Sequence, residues 1–141
     1  MKTLLIVPAL IATSLALPAS LAHAGELTVN ITDVRASKGS LLVSVLASEE
    51  GWKGQQKPVA MEKLAATGQD AVLKFQLPAG SYAVQVLHDE NDNGALDFNA
   101  MGIPTEGYGF SNNPQVMRRA HFSEAKFEVT DAAMTISVQL R

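Results

Sequence analysis

The chain has 141 residues, a formal net charge of −3 and no cysteine. The missing cysteine excludes disulfides, thiol catalysis, cysteine-bound zinc and a lipidated anchor. No basic patch exceeds Arg118-Arg119, which argues against a nucleic-acid partner.

Residues 1–24 read MKTLLIVPALIATSLALPASLAHA. Lys2 gives a positive start, an uncharged Leu/Ala/Ile run follows, and Ala22-His23-Ala24 is a small-x-small cleavage pattern. This predicts a secretory signal peptide cut before Gly25. A membrane anchor is the rival reading, but Pro8 and Pro18 interrupt the run and no basic stop-transfer cluster follows. No later segment is apolar and long enough to span a bilayer. The expectation is export to the periplasm or beyond, with residues 25–141 as a single domain. In that domain Asp89, Glu90, Asp92 and Asp97 account for the whole excess of acid over base.

Leu27, Val29 and Ile31 alternate with polar residues in ELTVNITDVR, the period of a half-buried strand. Ser37-Lys38-Gly39-Ser40 reads as a turn, and LLVSVLAS (41–48) as a central strand. A loop is expected around Trp52 and Gly54. PVAMEKLAAT (58–67) reads as strand for much of its length, with a helical turn as the alternative. In AVLKFQL (71–77) alternate apolar residues share one face. Pro78-Ala79-Gly80 turns the chain, and SYAVQVLH (81–88) puts Tyr82, Val84 and Val86 on one side. Residues 89–123 carry no sustained period, which is long for a connection inside a domain. KFEVTD (126–131) and MTISVQLR (134–141) close the pattern, with Ile136, Val138 and Leu140 alternating. The prediction is an all-β, antiparallel β-sandwich of about seven strands, transthyretin/immunoglobulin-like, with a long loop insertion at one end.

The insertion begins with HDENDNGALD (88–97). Asp89, Asn91 and Asn93 fall at positions one, three and five of a calcium loop, and Gly94 at six. Ala95 offers a carbonyl at seven, Leu96 is the apolar anchor at eight, and Asp97 stands at nine. Calcium is a hard cation, and oxygens on alternate residues of a tight loop converge on one point. Position twelve is Ala100 where an EF-hand has a bidentate Glu, and the flanks are not helices. This predicts a shorter structural Ca2+ loop on a β-scaffold, with Glu106 or a backbone carbonyl completing the shell. A polar loop built from Asx-turns is the alternative.

HDENDNGALDFNAMGIPTEGYGFSNN resembles the signature of a bacterial exported family, the domain of unknown function numbered 2141. FQLPAGSYAVQVLHDEN is similar to the strand pair of transthyretin-like and carboxypeptidase-regulatory-like sandwiches, and HFSEAKF to the family's segment before its penultimate strand. The resemblance spans about Leu27 to Leu140. Arg118-Arg119 departs from the Gly and Pro residues expected there. The resemblance implies a sandwich fold and export, and no established activity.

His88 continues the face of Tyr82, Val84 and Val86, so a place at the end of the core is expected. Tyr108 and Phe110 share a side if their segment is extended. They either seal the sandwich end or, with Asn112 and neighbouring amides, form a ligand platform. Trp52 is expected to pack. No G-x-S-x-G, P-loop or H-E-x-x-H occurs. The densest group of carboxylates is the acidic loop, which suits a cation better than glycosidase chemistry, so no catalytic residue is assigned. The expected role is a non-enzymatic module contacting an unknown cell-envelope protein or glycan. The alternative is carbohydrate or small-molecule binding by a loop face of His88, Glu106, Tyr108, Phe110 and Asn112. A hydrolase using His88 and a loop acid is the third reading.

Overall fold

Alternating burial sets the strands of the computed structural model, which describes residues 24–141; the signal-peptide expectation, save for Ala24, lies outside the described residues. Strand β1 (Ala24–Thr32) buries Leu27, Val29 and Ile31 and leaves the residues between them half-exposed. It pairs with β4 (Ala71–Pro78) on one side and β8 (Met134–Gln139) on the other. The larger sheet has the order β3 (Ala60–Ala65), β2 (Ser40–Leu46), β5 (Gly80–Asp89), β6 (Gly107–Phe110). Strand β7 (Phe127–Val129) pairs with the start of β5, along the same edge that β6 takes further on.

Between the sheets lies a core that includes Leu27, Val29, Ile31, Val43, Val45, Val84, Val86 and Val138. Each such side chain contributes roughly 1.5–3 kcal/mol by leaving water. A second apolar cluster joins Leu46, Trp52, Ala83, Phe110, Ala120 and Ala125. Ala83 is out of phase with Tyr82, Val84 and Val86, so this cluster lies on the outer face of the larger sheet.

The all-β sandwich is as expected, with four differences of detail. There are eight strands rather than about seven, because β6 lies inside the expected loop insertion. Four residues, GYGF, are too short to show a period. Gly109 is required there by proximity: a Cβ would stand 2.6 Å from the Gln139 carbonyl oxygen. Second, β8 runs parallel to β1, so the sheets are not wholly antiparallel. Past β8 the chain crosses to the other sheet, where Arg141 N donates to Tyr108 O (3.0 Å). Third, the region of Trp52 is not merely loop. One helical turn, α1 (Glu49–Trp52), is capped by Ser48 Oγ, which accepts from Gly51 N at 3.0 Å. Fourth, a second turn, α2 (Phe122–Ala125), closes the insertion. Residues 58–67 resolve in favour of strand β3, an edge strand whose Met61 is exposed. No helix among the described residues is long and apolar enough to cross a membrane.

Candidate functional site

Four acids crowd into the acidic loop, and each is engaged by different partners. Asp89 ends β5 fully buried; its Oδ1 accepts from Asn93 N (3.0 Å) and its Oδ2 from Gly94 N (2.7 Å). Glu90 pairs with Lys38 at 3.0 Å. Asp92 accepts from Ser40 Oγ at 2.6 Å and pairs with Lys63 at 3.0 Å. The Ser40 hydrogen bond and then Lys63 hold its carboxyl below the ordinary value. Asp97 receives the side-chain amides of Asn91 (2.5 Å) and Asn93 (3.0 Å). The same two asparagines close Asx-turns, accepting from Asn93 N (3.1 Å) and Ala95 N (2.9 Å).

Glu106 clamps this loop from behind. It is nearly fully buried, and its two carboxylate oxygens accept from Glu90 N (2.9 Å) and Asp97 N (3.0 Å). Beyond the clamp the chain makes a small excursion. Phe98 bridges to Pro104, and Asn99 Oδ1 accepts from Met101 N and Ile103 N. The stretch that lacked a period in the sequence is thus ordered by side-chain acceptors on backbone N–H groups. Among the described residues no three acidic or histidine side chains are grouped to hold a metal.

The excursion stands over the outer face of the larger sheet and encloses a cleft of about 450 Å3. Leu87 on β5 and Tyr108 and Phe110 on β6 form the floor, and Leu96, Phe98 and Pro104 form the loop wall. Leu96 is therefore half-buried against this cleft, rather than anchored in the core as its loop position suggests. Tyr108 and Phe110 do share a face, with ring centroids 5.8 Å apart. Phe110 rests 5.4 Å from Trp52, deep in the second cluster, while Tyr108 stays half-exposed. Phe98, which the sequence did not single out, is 57% exposed.

The remaining sequence candidates lie elsewhere. His88 is fully buried on the inner face of β5, its Nε2 3.0 Å from Lys38 O and its Nδ1 without a partner. It faces away from the cleft that its neighbour Leu87 lines. Asn112 donates its amide to Glu124 O (3.2 Å) and Lys126 O (2.9 Å), fastening the end of α2. The structure brings together Asn91, Asn93, Asp97 and the Ala95 backbone at the loop and Tyr108 with Phe110 at the cleft. Glu106 lies behind the loop, and His88 and Asn112 are apart from both.

A pair of basic residues is not a pattern, so nothing in the sequence marks Arg118 and Arg119 as site residues. Both line the cleft. Arg118 binds Glu124 through two nitrogens, at 2.9 and 2.8 Å. Glu124 also accepts from His121 N at 2.7 Å, and these bonds, Arg118's first, pull its carboxyl down to about 2. Because its folded pKa is depressed, this stabilisation is present above the ordinary value of 4.5 and is lost as pH falls toward about 2. Urea unfolding of wild type and Glu124→Gln should therefore show a stability gap that narrows across this window. A gap that stays constant with pH shows the pair to be uninvolved.

The family described as "Uncharacterized protein conserved in bacteria (DUF2141)" matches residues 29–137, which include every strand that borders the cleft. No curated protein and no solved structure matches the chain.

Proposed function

The chain belongs to that bacterial family of uncharacterised proteins, and from this premise we propose that it is an exported, non-catalytic binding module of the cell envelope. Its loop face takes a small molecule or a glycan, free or borne on an envelope partner. The observation that carries this reading is the cleft of about 450 Å3 between the loop excursion and the β5–β6 face. That volume lies in the range of ligand sites, and its apolar floor with few polar groups is their usual lining. The non-catalytic reading is supported by the direction of the titratable groups. His88 faces the core, and the loop acids are engaged by backbone, amide or lysine partners.

The proposal includes a structural Ca2+ at the acidic loop. The residues that would hold it are Asp89, Asn91, Asn93 and Asp97, with the Ala95 carbonyl. Three of these side chains are already adjacent: the Asn91 and Asn93 NH2 groups donate to Asp97, and their amide oxygens would turn to the ion in their place. The ion would supply the positive charge that those amide N–H groups now present to Asp97. As a weak extracellular-type site with Kd near 10⁻³ M, it should stabilise the fold by about 1.4 kcal/mol at about 10 mM Ca2+. Thermal melting in Ca2+ and in chelator reads this as a rise of a few degrees. An unchanged midpoint leaves the loop to its hydrogen bonds alone.

Ligand binding is tested with a glycan array and with Nile red, a neutral dye for apolar clefts. A specific glycan, or saturable dye binding that Phe98→Ala removes, is the expected result. Blank arrays together with no saturable dye binding sink the reading.

A further inference from the structure

Although the most acidic segment of the chain walls the cleft, no carboxylate lines it. The lining includes Arg118 and Arg119 and no Asp or Glu. A neighbouring depression of about 430 Å3, open beside Trp52, shares Gln85 and Arg119 with the cleft, adds Lys57, and likewise contains no acid. Three cations thus border one continuous surface on a chain whose net charge is −3. The separation follows from the hydrogen bonds described above, which turn Asp89, Glu90, Asp92 and Asp97 toward backbone, lysine or asparagine partners.

Arg118 is occupied by Glu124, but Arg119 has no carboxylate partner among the described residues. Its Nη2 donates to Trp52 O (2.6 Å) and to Gln85 Oε1 (2.8 Å), and its guanidinium lies 5.3 Å from the Trp52 ring centre. These contacts fix the plane of the group and leave Nη1 and Nε as donors without an acceptor in the described chain. Burial holds its pKa below the ordinary value, and the group remains a cation. A fixed, partly desolvated guanidinium with free N–H groups is suited to a planar oxyanion.

Resting on the binding reading above, we propose that the cleft takes a free single-chain amphipathic carboxylate. Its acyl chain lies on Leu96, Phe98 and Tyr108, and its carboxylate is bound by Arg119. The apolar floor and loop wall account for the chain, and the unpaired guanidinium at one end accounts for the head. A neutral sugar would leave Arg119 unanswered. A diacyl phospholipid would need room for a second chain, which a cleft of about 450 Å3 with one apolar wall does not offer.

Trp52 is the single tryptophan of the chain and lies beneath Arg119, so its fluorescence reports on the head-group position. The experiment titrates the whole protein with decanoate, decanol and acetate below micelle concentrations, reading Trp52 emission and calorimetric heat. Decanoate should bind saturably, with decanol about ten-fold weaker and acetate undetected, since one charge-assisted contact is worth roughly that factor. Arg119→Gln should bring decanoate to the affinity of decanol, and Phe98→Ala should weaken both. Arg119→Lys, which keeps the charge, should retain part of the preference and guards against a folding artefact in Arg119→Gln. Equal binding of decanoate and decanol, or an unchanged preference in Arg119→Gln, overturns the inference while leaving a ligand cleft in place. Binding only to phosphatidylglycerol vesicles, and not to decanoate, overturns it in favour of a membrane surface. If decanoate, decanol and Nile red all fail to bind, the inference falls, and the binding reading falls with it when the glycan arrays are also blank.

Discussion

Gly39→Ala should destabilise the protein by roughly 4 kcal/mol, the largest effect we expect of a single methyl group here. Gly39 has φ +67°, in the left-handed region, where any other L-residue carries a penalty of about 1–2 kcal/mol. The larger part is steric. A Cβ would stand 2.0 Å from the Asp89 carbonyl oxygen and 2.6 Å from the Glu90 Cα, both of them backbone atoms that no rotamer change moves aside. Relief requires displacing the junction of β5 and the acidic loop, where Ser40 pairs with Asp89 and Gly39 O accepts from Ala66 N. For a domain of this size the melting midpoint should fall on the order of 15 °C. Gly54→Ala is the matched control, for Gly54 has φ +77° and nothing within 4 Å of an added Cβ. It should show only the conformational penalty, about 1 kcal/mol. Equal losses in the two variants would show that the close approach to Asp89 is not real.

Glu106→Ala should cost about 3 kcal/mol and loosen the loop before it unfolds the sandwich. The carboxylate is 4% exposed and accepts from Glu90 N and Asp97 N. Truncation strands both donors beneath the loop, and an unmet buried donor costs about 1–3 kcal/mol. Glu106→Gln should lose roughly half as much. It keeps one acceptor oxygen but turns an NH2 group against the other backbone N–H. Denaturant unfolding measures the energies, and amide hydrogen exchange at Glu90 and Asp97 locates them. Because the excursion from Phe98 to Pro104 is one wall of the cleft, Nile red binding should weaken with the same variants. Wild-type stability with undiminished protection at Glu90 and Asp97 would remove Glu106 from the account of the loop.

The strands were legible because their signal is local. Leu27, Val29 and Ile31, or Tyr82, Val84 and Val86, alternate within a few residues, and burial of one face has no other period in an extended chain. His88 was placed at the end of the core by the same phase. Strand β6 was not legible, because GYGF is four residues long and is held by β5 and by the crossing of Arg141. The N-cap at Ser48, followed by two glutamates, was a readable signal for α1 that the loop reading passed over.

Taken alone, the sequence determined the sandwich class, the position of the long insertion, the crowding of acid in its first ten residues and membership of a bacterial family. These are properties of composition and short-range order, written within a few residues of one another. Only the tertiary structure decided that Glu106, sixteen residues from Glu90, closes the loop, and that Leu96 and Phe98 face a cleft rather than the core. It also brought Arg119 onto Trp52, sixty-seven residues away, leaving a cation without an acid in an acidic chain. Hydrogen-bond geometry and the sidedness of a sheet are long-range facts. They exist only once the strands have chosen their partners.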